Sequence, residues 1–413
     1  MRTAPVDRLD PRAWIDIAAL GLTQIIGYGT LYYSFGILAP AMARDFGWPG
    51  EWVFGALSVA LLAGGLAALW TGRWLDRYGA GRVMAAGSAA AALALVGCVV
   101  APSGFAFVPA LVAVEIAATF VQYGAAFPLL VQRYPGTAQR CIVYLTLIAG
   151  FASTLFWPLT SWLHGLLTWR EIYVAFAVMN VAICLPIHGW LSRKRVARQA
   201  AATMVSPAGV SVGRQGSLPP EARARGFLLM AMAFACQSFV SSAILVHMLP
   251  MLGALGLGLA GVTVSALFGP SQVASRLVNM IFGQGLSQPA LAMISAALLS
   301  GALVLLVIAA PSFAGAMAFA ILFGMGSGLY SIVGGTLPLV LFGAEGYGAR
   351  QGQVMSVRLV VGAAAPFAFA LMTDRVGVHG ALAVSAIIGC GAVAAFFSVS
   401  QLTRRTAAVL RPS

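Results

Sequence analysis

Long apolar blocks, each ended by a short break that carries charge, glycine or proline, divide this chain from end to end. The blocks fall at 14–43, 51–72, 82–101, 105–131, 141–166, 170–191, 226–253, 257–283, 289–309, 313–342, 352–372 and 380–402. A helix needs about 20 predominantly apolar residues to cross the hydrocarbon core of a bilayer. The pattern therefore predicts twelve membrane-spanning helices. One long polar interruption, 192–225, begins SRKRVARQ and continues rich in Ser, Pro, Gly and Arg. It separates six helices from six and reads as a linker with little fixed structure. The expected organisation is an N-terminal six-helix bundle at 1–191, a cytoplasmic linker at 192–225 and a C-terminal six-helix bundle at 226–413.

Composition agrees with this reading. Of 413 residues 60% are hydrophobic and only 8% charged, with a mean hydropathy of +0.92, whereas a soluble protein carries about 25% charged residues. A soluble globular enzyme is thereby excluded. The net charge of +13 suggests nucleic acid only until the charges are located. With the N-terminus inside, nineteen of the 24 basic residues fall on the cytoplasmic side, and three, Arg44, Arg170 and Arg375, fall outside. An excess of base on cytoplasmic loops is the rule for membrane proteins, so the distribution predicts both termini in the cytoplasm of a multi-pass cell-membrane protein and leaves nucleic acid unneeded. The run from Trp14 is too long for a signal-peptide core and reads as a retained first span.

The break after the second helix reads GRWLDRYGAGR at 72–82. Gly72 and Gly79 allow a tight turn against neighbouring backbone. Asp76 can accept hydrogen bonds from a helix N-terminus, and Arg77 and Arg82 hold the inner surface; the plainer reading of Asp76 is a solvated loop acid. A six-plus-six layout with G-x-x-x-D-R-x-G-x-x-R at this place resembles the major facilitator superfamily. That resemblance implies an all-α integral membrane fold, with two six-helix pseudo-repeat bundles around a central cavity that opens alternately to either side. It also implies a gating role for Gly72, Asp76, Arg77, Gly79 and Arg82, with Asp76 latching onto the second half near the eleventh helix. The equivalent loop of the second half, GQGLSQP at 283–289, keeps the glycines and has no charge. More narrowly, YGTLYYSFGILAPAMARDFGW at 28–48, TWREIY at 168–173 and one arginine in each of the eighth and eleventh helices are similar to the oxalate/formate antiporter and monocarboxylate transporter branch. The doubled glycine pattern of drug/proton antiporters is not met in the fifth helix, where GFASTLFWPLTSW supplies Gly150 and Pro158 only.

Ionisable groups at membrane depth are costly and mark functional positions. Arg276 lies seven residues before Gly283 and Arg358 six residues after Gly352, which puts both about 10 Å from the same membrane face at 1.5 Å per residue. Two guanidiniums at one level make an anion site; the alternative is that each snorkels to the surface or braces backbone carbonyls. The resemblance agrees, since transporters of that branch use basic residues in these helices as carboxylate ligands. Glu115, near the midplane of the fourth helix, is the candidate proton carrier, or else a permanent partner of an arginine or of backbone groups. In the first helix Gln24, Tyr28 and Tyr32 are candidate substrate ligands, the two tyrosines one turn apart on a shared face. Tyr33, Gln122, Tyr123, Tyr144, Gln237 and Ser238 are weaker ones.

Neither catalytic residues nor a metal site are expected. The five cysteines, Cys98, Cys141, Cys184, Cys236 and Cys390, read as small buried hydrophobes, and His164, His188, His247 and His379 as interfacial groups without metal spacing. No cofactor is implied, and no P-loop is present to draw on ATP. The expected function is secondary active transport of a small organic anion, a monocarboxylate first and a dicarboxylate second, proton-coupled or anion-exchanging, by a monomer in the bilayer. Efflux of amphipathic drugs or other small molecules is the alternative.

Overall fold

The structure is a computed structural model that describes residues 10–193, 216–258 and 260–409. It is a bundle of twelve helices: α1 (11–46), α2 (Gly50–Tyr78), α3 (Ala80–Val100), α4 (Gly104–Arg133), α5 (Ala138–His164), α6 (Trp169–Arg193), α7 (Pro220–Leu257), α8 (260–282), α9 (Gln288–Ala309), α10 (Phe313–Phe342), α11 (347–376) and α12 (378–409). Nine helical stretches among the described residues are long and apolar enough to cross a bilayer, and the last of these, Tyr347–Arg404, contains both α11 and α12. The end of the bundle that carries the start of α1 and the finish of α12 is called here the terminal end, and the opposite one the distal end.

Three connections are shorter than the sequence pattern suggests, and single residues make two of the turns. Gly79, at φ 88°, is all that separates α2 from α3, so the expected loop 73–81 is mostly helix. Gly377, at φ 73°, likewise parts α11 from α12. Both lie in the left-handed region that glycine enters without a Cβ penalty. At the third, α11 begins at Tyr347 rather than 352. The expected linker is also narrower. Ser217 and Leu218 donate backbone hydrogen bonds to Val340 and Leu341 at the end of α10 (2.9 and 3.1 Å), and α7 starts at Pro220, where proline suits a first helical turn. Residues 194–215 of that linker lie outside the described residues.

Packing shows how the two bundles meet. At the distal end each has its own apolar core: Phe35, Leu38, Phe107 and Phe176 in the first, and Met251, Leu303, Phe319 and Phe369 in the second. At the terminal end the cores cross over. Tyr347 of α11 packs among Ile17, Phe127 and Ile142 of the first bundle, and Val143 of α5 packs against the core of the second. The molecule is therefore held closed at the terminal end, while at the distal end the two apolar cores stay separate.

Local breaks set the phase of side chains that face between the bundles. Within α1 the turn Gly29–Tyr33 is a wide one with i→i+5 bonding, a feature frequent at functional sites. In α4 Gln122 is extended, and the carbonyl of Val121 accepts from the Gln24 side-chain nitrogen at 2.7 Å. A proline in α11, Pro366, frees the carbonyl of Gly362, and α7 satisfies it: Ser242 donates to Gly362 O (2.6 Å), while the His247 ring nitrogen lies 3.0 Å from Pro366 O.

Several expectations for single residues change. His188 is not interfacial: it is 1% exposed, with its two ring nitrogens 2.8 Å from Ser88 Oγ and 3.0 Å from Thr23 Oγ1, joining α1, α3 and α6. Cys390 is exposed on an outer helix face, and Cys236 is partly exposed at the margin of the second bundle's core. Arg133, counted as a loop cation from its place in the chain, is buried and paired with Asp16 at 2.8 Å, where Tyr134 also donates to the same carboxylate oxygen at 2.6 Å.

Candidate functional site

Both arginines converge on one turn of α10. Arg276, only 4% exposed, donates from Nε to Gly328 O (3.4 Å) and from Nη2 to Ser331 Oγ (3.1 Å). Arg358 donates from Nε to Tyr330 Oη at 2.8 Å, and its guanidinium carbon lies 4.2 Å from that ring's centroid and 5.9 Å from the Phe234 ring. The shared turn 328–331, and not the distance of each residue from its helix end, brings them to one level. Since α11 starts at Tyr347, Arg358 is eleven residues, or roughly 16 Å, along it. Glycines make the room: a Cβ on Gly334 would stand 2.6 Å from Arg358 Nη1. Neither arginine has a carboxylate partner among the described residues.

Arg276 also reaches across to the other bundle. Its Nη1 donates to Thr146 O of α5 at 2.8 Å, just before the break at Gly150, where any side chain would strike the same nitrogen. The carbonyl-bracing alternative thus describes its bonds in this closed terminal-end state. Its charge is nonetheless unneutralised.

Facing the arginines is an aromatic wall from α1, α4 and α5. Tyr28 packs on Tyr123 (ring centroids 4.9 Å apart) and Tyr33 (6.3 Å), Tyr33 meets Trp157 edge-on at 5.9 Å, and Tyr123 stacks on Phe127 at 4.8 Å. Tyr123 lies within electrostatic range of both guanidiniums, Tyr28 of Arg358 and Tyr33 of Arg276. The wide turn changes which tyrosines share a face. With i→i+5 bonding, Tyr33 rather than Tyr32 aligns with Tyr28, so the expected pairing of Tyr28 with Tyr32 is corrected by one residue. Tyr32 is 46% exposed, edge-on to Tyr33 at 5.3 Å, and within range of Glu115. Gln24 is fully buried, and its amide nitrogen donates to Val121 O and props the α4 break, while its Oε1 has no hydrogen-bond partner. Tyr144 is drawn off to Trp14, at 4.6 Å. Gln237 donates to Ser295 Oγ at 3.1 Å and Ser238 to Arg358 O at 2.5 Å, so each serves packing within the second bundle.

Glu115 is 6% exposed, and its Oε1 has no hydrogen-bond partner. No arginine pairs with it among the described residues. Gly64 of α2 lies against its backbone, a Cβ there falling 3.0 Å from Glu115 O, and Tyr32 and Tyr173 are within electrostatic range.

At the terminal end, Asp76 accepts from the backbone nitrogens of Gly348 (3.0 Å) and Ala349 (2.8 Å), in the first turn of α11. These donors have no partner within their own helix, so a carboxylate from α2 caps α11 from the opposite bundle. Beside it the two helices cross at glycines. A side chain on Gly72 would strike Gly348 O and stand 2.9 Å from Gly352 Cα. Gly79 makes the turn, and Gln132 of α4 braces it, donating to Leu75 O (3.0 Å) and accepting from Ala80 N (3.1 Å). Arg77 and Arg82 are exposed on that face. Tyr123, Tyr330, Gly150 and Gln132 were not legible as a set, since they come from three helices, α4, α5 and α10, and gain meaning only where these meet.

Comparison with known proteins bears on the whole arrangement. A gallate transporter of Pseudomonas putida is 27% identical over 236 residues, 52% of this chain and 51% of that protein, so the chain matches about half the length of that relative. Among solved structures, the human organic anion transporter MFSD10 (TETRAN) aligns with a TM-score of 0.70 at 14% identity, over 94% of this chain and 100% of that one. The transporter FucP in its outward conformation aligns at 0.66 and 12%, over 94% and 99%. At such identities the likeness is one of fold. The sequence profile described as Major Facilitator Superfamily matches residues 20–366, and this chain therefore belongs to that superfamily of membrane transporters, which are not enzymes.

Proposed function

We propose that the chain carries a small organic monocarboxylate across the cell membrane by alternating access, with Arg276 and Arg358 holding the carboxylate. The observation that carries this reading is the pair of unneutralised guanidiniums on one turn of α10, opposite a wall of phenols. Charge in a low-dielectric cavity attracts its complement, and the planar guanidinium fork matches a carboxylate. The wall favours a substrate whose body is itself aromatic, since rings pack on rings and phenol hydroxyls can meet polar substituents. The partial likeness to a gallate transporter supports the same chemistry. Uptake into proteoliposomes of benzoate and hydroxybenzoates, set against acetate, oxalate and an amphipathic cation, tests it. Saturable transport of the aromatic acids is the expected result, and transport of the cation alone would replace this reading with drug efflux.

Glu115 is the proposed proton carrier. Replacement by Gln removes the proton exchange but keeps the shape, and Oε1 has no bond to lose. Uptake driven by an imposed pH gradient is expected to fall at least tenfold in Glu115→Gln, while exchange of substrate for substrate stays within about twofold of the parent. Equal loss of both would assign Glu115 to the frame of the cavity.

The terminal end is the proposed cytoplasmic one, following the distribution of basic residues. In a background lacking the native cysteines, Pro102→Cys at the distal end should react with an impermeant thiol reagent on intact cells. Arg404→Cys should react only after permeabilisation, and the reverse pattern would invert the assignment.

A further inference from the structure

The turn between α2 and α3 borders a second cavity, outside the pathway between the bundles. It opens at the terminal end, has a volume of about 220 Å³, and is lined by Arg77, Arg82 and Arg133 together with Gly81, Gln132 and Ser192. The charges in it are unequal. Arg133 is neutralised from within, by Asp16 at 2.8 Å, and also donates to Leu191 O at 2.9 Å. Arg77 and Arg82 form no ion pair among the described residues. The carboxylate nearest to them in the chain, Asp76, is turned the other way, onto α11.

Exposed arginines on a flat surface are simply solvated, but here they flank a concavity with rigid walls. The Gln132 amide ties the turn to α4, and Gly81 sits so close to Ser192 of α6 that a Cβ would be 2.8 Å from its Cα. Depth is set by a second observation. Trp74, Tyr78 and Trp190, 46%, 52% and 38% exposed, ring the same end of the first bundle. Indole and phenol side chains collect at the level of lipid headgroups, so the cavity mouth opens at that level. Guanidinium forks bind phosphate bidentately, and juxtamembrane basic groups attract anionic lipid.

We propose that this cavity binds a phosphate group at the membrane surface, held by Arg77 and Arg82 beside Arg133, which Asp16 fixes from behind the cavity wall. Its sources are the phosphodiester of an anionic lipid or a soluble phosphate ester, and both present the same charged oxygens. Occupancy stitches the α2–α3 turn to α4 and α6, and so stiffens the turn that holds Asp76 against α11.

Native mass spectrometry of the full chain in detergent, titrated separately with phosphatidylglycerol, phosphatidylcholine and glycerol 3-phosphate, tests the site. One saturable phosphatidylglycerol is expected, with binding at least tenfold weaker in R77Q/R82Q and restored in R77K/R82K. A second variant, Ser192→Asp, leaves both arginines in place and sets a carboxylate in the cavity wall; it should expel the ligand as fully. Saturation by glycerol 3-phosphate, with loss in the same variants, would support the site and identify a soluble source. Equal affinity for phosphatidylcholine, or phosphatidylglycerol binding unchanged in Ser192→Asp, would overturn the proposal.

Discussion

Replacing Arg276 or Arg358 by Gln is expected to weaken binding of a transported acid by roughly ten- to a hundredfold, the loss that follows when a charge-assisted hydrogen bond worth about 1.5–3 kcal/mol is removed. Gln retains much of the bulk, so packing against α10 changes little. The two sites should respond differently to Lys. At 358 an ammonium can still sit over the Tyr330 ring, 4.2 Å from the present guanidinium carbon, and partial rescue is expected. At 276 Lys cannot span Gly328, Ser331 and Thr146 together, so rescue should be poorer. Because both arginines are proposed to grip one carboxylate, the double Gln variant should depart from the sum of the singles, whereas two independent braces would be nearly additive. Calorimetric titration of folded, detergent-purified variants reads this directly. Unchanged affinity in both single variants would remove the anion site and bring drug efflux forward.

Closing of the terminal end is expected to fail when Gly72 becomes Val. The branched side chain has no rotamer that avoids Gly348 O and the Gly352 backbone, and two helix backbones cannot yield by side-chain motion. Transport should fall at least tenfold, and a cysteine introduced at Met355, where α11 passes Gly124 of α4, should become reactive from the terminal-end side. Asp76→Asn is the milder companion. It keeps an oxygen for one of the two α11 donors but loses the charge at a helix N-terminus, costing about 0.5–2 kcal/mol of closure. That shifts the balance between open and closed states roughly two- to thirtyfold, so flux should fall more than substrate affinity. Should flux and affinity fall in parallel in Asp76→Asn, the latch would be a ligand or a folding determinant instead. Labelling at position 355 that is equally low in Gly72→Val and the parent would show that the glycine crossing does not govern closure.

Much of the architecture was legible in the sequence, because a bilayer imposes one length and one polarity on every span. Blocks of about 20 apolar residues could only be crossing helices, and the longest polar interruption fell between six and six. Ionisable groups inside such blocks stood out by cost alone, which is how Arg276, Arg358 and Glu115 were found. Asp76 was legible for a different reason: its place in G-x-x-x-D-R-x-G-x-x-R resembles the superfamily's gating loop and implies a latch near the eleventh helix, and its carboxylate accepts from the first turn of α11.

Other features depended on how the helices meet. Phase along α1 depends on one wide turn that apolar periodicity does not register, and it exchanges Tyr32 for Tyr33 beside Tyr28. Gln24, His188 and Arg133 took their roles from neighbours 97, 100 and 117 residues away in the chain, which bond or neutralise them. Spans are decided by transfer of each segment out of water, a local property that sequence records. The site is decided by which buried polar groups find partners, and only packing between distant helices supplies those.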